Sequence, residues 1–322
     1  MVKGTGVAKA AAEIADDEGN SVAIQMGLLG DEWNLLIIRL ALLGVRRYNE
    51  WYEQLGIANS VLTARLRALS EAGVLTRVRY QDRPARHEYH LTEIGLDLWP
   101  VLLTLWWWEA EWAGEHVEPL PPMVHLECGE QFSPVLHCAS CRRPADLADV
   151  SGVFGPSGSF ERSAPRATTR RRSSSVASAG PGLFPETIAL IGNRWSSATL
   201  AAAFFGCRRF TDFLQATLAP PTIVSDRLRV FCDMGVLTPV ASASGSSRVE
   251  YRLTEKGRAF FPHMVTSLCW GDRWYRAPEG PAVIFTHKEC KRIFDPVLYC
   301  SACDKELQRS KIGVGGLPLY GG

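Results

Sequence analysis

The residues from His125 to Cys141, HLECGEQFSPVLHCASC, recur as HKECKRIFDPVLYCSAC from His287 to Cys303, an offset of 162 residues. A fixed internal period decides the architecture before any local argument begins, because each copy must build the same unit. The same gap-free offset carries Trp33 onto Trp195, GVRRYNE onto GCRRFTD, and RLR at 65 onto RLR at 227. It continues through GVLT at 73 and 235, EYHLTEIG and EYRLTEKG, and the pairs Trp108 and Trp270, Trp112 and Trp274. The chain is one unit written twice. At 322 residues, 46% of them hydrophobic, it is long enough to bury two cores of ordinary domain size.

Within each unit the hydrophobic period changes twice. From 21 to 116, and again from 183 to 278, it predicts helix, helix, helix, two strands and a long helix. LLIIRLALLG reads as a buried helix ending at Gly44; SVLTARLRALSEAG is amphipathic, with Leu62, Leu66 and Leu69 on one stripe and Gly73 as its stop. VLTRVRYQDRPARHEYHL alternates on both sides of a Pro-containing turn, which describes a hairpin. Thr92 stands at the N-cap of the helix carrying LWPVLLTLWWWEAEW. Helices closed by a hairpin make a winged helix, so the class is mainly α with small β-wings (α+β). Residues 117–153 and 279–315 are small modules with few aliphatics, and 1–20 and 316–322 are tails. Residues 154–182, rich in Ser, Gly, Pro and Arg, read as a flexible linker with a reach of roughly 30 Å, enough for the copies to pack on each other. Its Arg run at 170–172 reads as a solvated basic stretch.

GDEWNLLIIRLALLGVRRYNEW, LTARLRALSEAGVLTR and RHEYHLTEIG resemble the HxlR-type winged helix-turn-helix transcription regulators, which are similar to the MarR group. The second copy resembles them in IGNRWSSATL, GCRRFTDF, VSDRLRVFCDMGVLT and RVEYRLTEKG. The resemblance covers roughly 95 residues of each copy and implies bacterial, dimeric regulators on short two-fold operators. Oxidant-sensing members carry a thiol about a dozen residues before the first-motif tryptophan. This chain has Ser21 and Val22 there, and Leu183 and Phe184 in copy two, so that mechanism does not transfer.

The residues lead to the same role independently. Opposite the leucine stripe, the helix from Ser60 to Ala72 presents Ser60, Ala64 and Arg67, flanked by Thr63: small and hydroxyl side chains admit close approach to a major groove, and an Arg reaches guanine or phosphate. Copy two offers Thr222, Ser225, Asp226 and Arg229, so the two half-sites are expected to differ. Arg46 and Arg47, with Arg208 and Arg209, are placed to meet the backbone, and the wings add Arg83 and Arg86 in copy one and Arg248 in copy two. Arg65 and Arg227 lie at the edge of the buried stripe, where helix–helix pairing is the expectation. Local charge is modestly positive although the chain's net charge is only +1, which predicts a shallow salt dependence.

Nine cysteines in a reducing compartment do not read as disulfides, and six of them fall in the repeated pattern. The other three, Cys207, Cys232 and Cys269, occur in copy two alone; Cys207 and Cys269 read as buried, inert thiols, with oxidation as the alternative. Zinc needs four ligands, and two knuckles of paired residues supply them from a short chain. The spacing groups His125, Cys128, Cys138 and Cys141 as one Cys3His site, and His287, Cys290, Cys300 and Cys303 as the other. His137 is set aside because Tyr299 takes its place in the repeat. Modules this small need such a staple, since structural zinc supplies about 10–16 kcal/mol at neutral pH. Four protein ligands leave no position for water, and no H-E-x-x-H motif is present, so an enzyme is not expected.

Trp108 with Trp112, and Trp270 with Trp274, stand four apart and are expected to pack on the first helix of the other copy. Trp99, Trp106 and Trp107 occur only in copy one and leave room for a small aromatic effector. The apolar stretch LWPVLLTLWWW is too short to span a bilayer, and the first twenty residues hold no signal-peptide core. The expectation is a cytoplasmic, nucleoid-associated regulator of double-stranded DNA, without a membrane, carrying two structural zinc ions. Its two units would form an intramolecular pseudo-dimer on an imperfect inverted repeat, with further homo-oligomerisation open. The competing readings are a protein-interaction scaffold and a metal- or redox-responsive regulator.

Overall fold

The computed structural model describes residues 19–83, 85–113, 120–163, 184–241 and 249–319. The basic run at 170–172 and Arg248 lie outside these residues. Copy one runs α1 (Ser21–Leu29), α2 (Glu32–Leu42), α3 (Tyr48–Leu55), α4 (Asn59–Glu71), the hairpin β1 (Leu75–Gln81) and β2 (Arg86–Leu91), α5 (Glu93–Leu96) and α6 (Trp99–Trp112). Copy two repeats it as α7 (Pro185–Ile191), α8 (Arg194–Phe204), α9 (Phe210–Thr217), α10 (Pro221–Asp233), β6 (Leu237–Ala241) with β7 (Val249–Leu253), α11 (Glu255–Arg258) and α12 (Phe261–Trp274). Each hairpin is antiparallel.

Two features exceed the sequence pattern. A further helix, α1 or α7, precedes the expected ones. The helix expected to run unbroken from Thr92 is divided in two: Thr92 Oγ1 accepts from Gly95 N at 3.3 Å to cap α5, and a new helix starts at Trp99 with Pro100 in its first turn. Proline has no N–H to donate, and a first turn needs none. Elsewhere local rules hold. Asp31 caps α2 through Asn34 N at 3.1 Å, and its counterpart Asn193 caps α8 through Trp195 N and Ser196 N at 3.1 and 2.9 Å. Leu62, Leu66 and Leu69 are fully buried, as are Val224, Leu228 and Phe231 in copy two.

The copies pack on each other through their long helices. α12 lies against both α1 and α6, and Thr104 and Thr266, equivalent by the offset, meet Oγ1 to Oγ1 at 3.3 Å. Contacts around this point are reciprocal: Trp108 Nε1 donates to Lys256 O at 3.1 Å and Trp270 Nε1 to Ile94 O at 3.0 Å. These tryptophans therefore dock on the other copy's α11 and α5, whereas the first helix was expected. Trp106 does reach that region, with its ring edge-on to Phe184 at 5.7 Å. Glu109, fully buried on α6, accepts from Glu186 N at 3.2 Å, Thr187 N at 3.0 Å and the Thr187 hydroxyl. One copy's carboxylate thus caps a helix of the other, where the N-terminal peptide dipoles favour negative charge.

The two small modules are interleaved. β3 (Met123–His125) pairs with β10 (Ile312–Val314), β4 (Pro134–Cys138) with β9 (Pro296–Cys300), and β5 (Val150–Phe154) with β8 (Val283–His287), all antiparallel and all between copies. A short 3-10 turn (Arg309–Lys311) precedes β10, and β11 (Leu317–Pro318) follows it. The ordered chain also continues past Phe154. Phe154 stacks on Phe205 at 5.2 Å and meets Phe160 edge-on at 4.9 Å, and Asn20 Nδ2 donates to Ser157 O and Ser163 Oγ, both at 3.0 Å. Residues 154–163, expected as linker, are instead packed, because two aromatic rings in a polar stretch find a partner in copy two. Among the described residues no helix is long and apolar enough to cross a membrane.

Replacing Glu109 with Ala leaves one buried and one half-buried backbone donor and a hydroxyl without their acceptor, and is expected to cost about 2–4 kcal/mol in urea unfolding. An unchanged midpoint would show that the cross-copy cap carries no stability.

Candidate nucleic-acid interface and metal centres

The pair α3 and α4 forms a helix-turn-helix in copy one, and α9 with α10 in copy two. In the first turn Gly56 adopts φ 58°, a left-handed conformation that glycine enters without strain, and Ile57 is buried to anchor the bend. In copy two Leu218 holds the same conformation at φ 53° with a side chain 65% exposed, so it bears the Cβ strain with little packing in return. Glu50 Oε2 accepts from the backbone N–H of Arg46 and Arg47 at 3.1 and 2.9 Å, and Asp212 does the same for Arg208 and Arg209.

The expected reading faces are on the surface. Ser60, Thr63, Ala64 and Arg67 are exposed on α4, and Thr222, Ser225 and Arg229 on α10, with Asp226 half-buried among them. Arg83 and Arg86 are exposed at the first wing, and Arg208 and Arg209 at the start of α9. Arg47 is tied to the wing, with Nε 3.0 Å from Glu88 Oε1 and its guanidinium 5.2 Å above the Tyr80 ring; Arg46 beside it is half-buried. Arg65 grips Asp31 through two bonds of 2.9 and 2.8 Å, so it joins α4 to α2, as its edge position implied. Arg227 turns to Asp226 and to Ser196 Oγ at 3.3 Å.

The two reading helices differ in how their charge is held. Arg67 pairs with Glu71 at 2.7 Å. Arg229 pairs with both Asp226 at 2.8 Å and Asp233 at 3.2 Å. Arg227 and then Arg229 hold the Asp226 carboxyl below the usual carboxylate range. Exposed pairs of this kind are worth at most about 1 kcal/mol, so a phosphate or base can displace either, but Arg229 must leave two carboxylates and Arg67 one. Tyr48 adds a distinction that the sequence comparison passed over. Its hydroxyl lies 3.1 Å from Thr63 Oγ1 and 3.0 Å from Asn59 O, whereas copy two has Phe210 there and leaves Ser225 without that tether.

All eight Cys and His residues of the repeated pattern converge, but across the copies. One cluster is His125, Cys128, Cys300 and Cys303; the other is Cys138, Cys141, His287 and Cys290, with all ligand atoms within 4.8 Å of one another. The grouping read from spacing, with one site inside each copy, is therefore corrected. β4 carries the second knuckle of copy one away from the first, and its register against β9 sets Cys138 opposite Pro296 and Pro134 opposite Cys300. That brings each Cys-x-x-Cys knuckle to the His-x-x-Cys knuckle of the other copy.

The donor set fits zinc. In the first cluster His125 Nδ1 lies 3.4 Å from Cys128 Sγ and 3.2 Å from Cys303 Sγ, with Cys128 and Cys300 Sγ 4.0 Å apart. In the second, His287 Nδ1 lies 3.3 Å from both Cys141 and Cys290 Sγ, and Cys138 is 4.0 Å from Cys290. A zinc tetrahedron with bonds near 2.0 and 2.3 Å has edges of roughly 3.5–3.8 Å, close to these spacings, while a disulfide would need about 2.05 Å. Both histidines turn Nδ1 inward. The Arg292 backbone amide, ahead of His287 and neighbouring thiols, draws Cys290 down to about 7, while burial pushes Cys300 up to about 11. His137 is no ligand: it stacks on Tyr299 at 4.0 Å, its own counterpart across the pairing. Burial pushes Cys269 up to about 12 and raises Cys207 and Cys232, so these three stay protonated thiols.

Residues 28–117 and 190–279 each match the HxlR-like helix-turn-helix family. A relative from Mycobacterium tuberculosis (strain ATCC 25618 / H37Rv), described as an uncharacterized HTH-type transcriptional regulator, is 40% identical over 139 residues, 43% of this chain and 88% of that protein. Relatives with the same description come from Synechocystis sp., 32% identical over 34% of this chain and 82% of that one, and from Bacillus subtilis, 34% identical over 29% and 73%.

Metal analysis distinguishes the two partitions. Cys128→Ser with Cys300→Ser removes ligands from one cluster and is expected to leave one zinc per chain, whereas Cys128→Ser with Cys138→Ser strikes both and leaves none. The reverse result would restore pairing within each copy. Separately, Leu218→Gly relieves the left-handed strain and is expected to stabilise the chain by about 0.5–1 kcal/mol, read as a raised urea midpoint.

Proposed function

Because this chain belongs to the HxlR-like helix-turn-helix family and carries its transcription-regulator domain twice, we propose that both reading helices engage one DNA duplex, as an intramolecular pseudo-dimer. The site is an imperfect inverted repeat. The observation that carries this reading is the reciprocity of the contacts between copies, Trp108 to Lys256 and Trp270 to Ile94, around the Thr104 and Thr266 pair. Contacts that repeat under exchange of the copies relate the two helix-turn-helix units by an approximate two-fold, the symmetry of an inverted repeat.

In this reading Ser60, Thr63, Ala64 and Arg67 meet bases of one half-site, and Thr222, Ser225, Asp226 and Arg229 those of the other. Arg46, Arg47, Arg208 and Arg209 meet phosphates, and Arg83 and Arg86, with Arg248 on the opposite wing, reach the flanking backbone. The half-sites differ because Asp226 favours a base amino group where Ala64 favours a methyl. Two zinc ions, each held by knuckles from both copies, brace the pair of units without taking part in any reaction; when bound, the metal supplies cross-linking and fixes the angle at which the units meet.

Sequencing genomic fragments retained by the purified chain identifies the site, and gel shifts at fixed salt then measure each contact. Arg67→Ala is expected to cost about 1–3 kcal/mol of binding and to relax one half-site, with Arg229→Ala costing less. Asp226→Ala makes α10 match α4 at this position and is expected to shift the second half-site's preference from a base amino group toward a methyl. Equal affinity for every duplex, unaffected by these changes, would favour a scaffold that docks proteins.

A further inference from the structure

A cavity open to solvent lies between α1 of copy one and α8 and α12 of copy two. Its walls come from both copies, so an occupant touches the seam that joins the two units. Phe154, Phe160, Phe205 and Phe260 supply aromatic faces, and Met26 and Met264 supply adaptable ones.

The cavity is one-sided, and the repeat shows why. Its floor on α8 is Ser197, Ala198 and Ala201, where copy one has Leu35, Leu36 and Arg39; on α12, His263 and Ser267 stand where copy one has Val101 and Leu105. The larger side chains fill the equivalent space. Leu35 and Leu36 are buried, and the Arg39 guanidinium lies 4.7 Å above the Trp106 ring, leaving a smaller hollow there. Trp99 and Trp106 line that smaller hollow, so the aromatic excess of copy one closes space that copy two leaves open.

The polar groups of the larger cavity are few and specific. Arg194 replaces Glu32 of copy one, lines the cavity and lies 4.0 Å above the Trp195 ring. Its Nε is buried and has no hydrogen-bond partner among the described residues, which is costly for a charged donor. His263 Nδ1 lies 3.1 Å from the Val101 carbonyl and so donates to it, and burial draws the ring's pKa down to about 4. The imidazole is therefore neutral, and Arg194 supplies the positive charge of the lining.

An apolar, aromatic-walled cavity with one guanidinium whose Nε lacks a partner selects a flat hydrophobic anion. We propose that this cavity binds an aromatic carboxylate, one per chain, with its ring against the phenylalanine faces and its carboxylate on Arg194. The binding is independent of the DNA reading, because it is measured on the free chain.

Calorimetric titration of the full zinc-loaded chain with 2-naphthoate, and with naphthalene-2-carboxamide as its neutral counterpart, tests this. One site per chain is expected. Arg194→Gln should weaken naphthoate at least tenfold while changing the amide little, and Ser197→Leu with Ala198→Leu, which copies the filled side, should abolish both. Two equivalents per chain, no binding by the unmodified protein, or unchanged naphthoate affinity in Arg194→Gln would each overturn the proposal. Arg194→Gln lies at the half-buried start of α8, and so decides the matter even if the filled variant fails to fold.

Discussion

The pairing of β4 with β9, centred on Leu136 opposite Leu298, is the constraint on which the rest of the molecule depends. Two five-residue segments from different copies, alike except for His137 and Tyr299, run antiparallel, and the register sends each Cys-x-x-Cys knuckle to the far end of the other copy's strand. β3 with β10 and β5 with β8 also pair across the copies, and the ligand clusters are shared between them. Hydrogen-bonded strands and the shared Cys and His clusters then act in the same direction. Separating the copies would break three inter-copy strand pairings and both ligand sets, in addition to the apolar contact between α6 and α12.

That rigid seam has a consequence for the reading units. α1 and α12, α6 and α7, and the cap at Glu109 all lie between the strand exchange and the helix-turn-helix pairs. Each α4 or α10 is held against its own α2 or α8, in copy one by the Arg65–Asp31 clamp, so the spacing of the reading helices follows from how the seam is packed. Ligand clusters, cap and apolar burial therefore bear on one geometric quantity. A chain with both copies fused can also do what an association of identical subunits cannot: alter one side alone. Ala64 against Asp226, Tyr48 against Phe210 and the filled against the open cavity are all alterations of this kind.

Much of the candidate site was legible because its signals are local. The leucine stripe of α4, the N-cap residue Thr92 and the hairpin alternation are set by interactions within a few residues, and the repeat shows each of them twice. Arg65 at the edge of the stripe was readable for the same reason. The cavity was not, since its floor is made of Ser and Ala residues whose significance lies in what copy one carries at the same positions and in which helices face them. Trp99, Trp106 and Trp107, as conspicuous aromatics, drew attention to the side that proved to be filled.

The sequence by itself determined that the chain is a doubled winged helix, which residues of α4 and α10 lie opposite their buried stripes, and which eight side chains form two Cys3His sets. Only the tertiary structure decided how those eight are divided. Within one copy and between copies the ligand pairs have identical composition and identical local spacing, so no property of the string distinguishes the two arrangements. The choice rests on strand register and on the distance that an extended five-residue strand puts between its ends, quantities that exist only once the chain has folded.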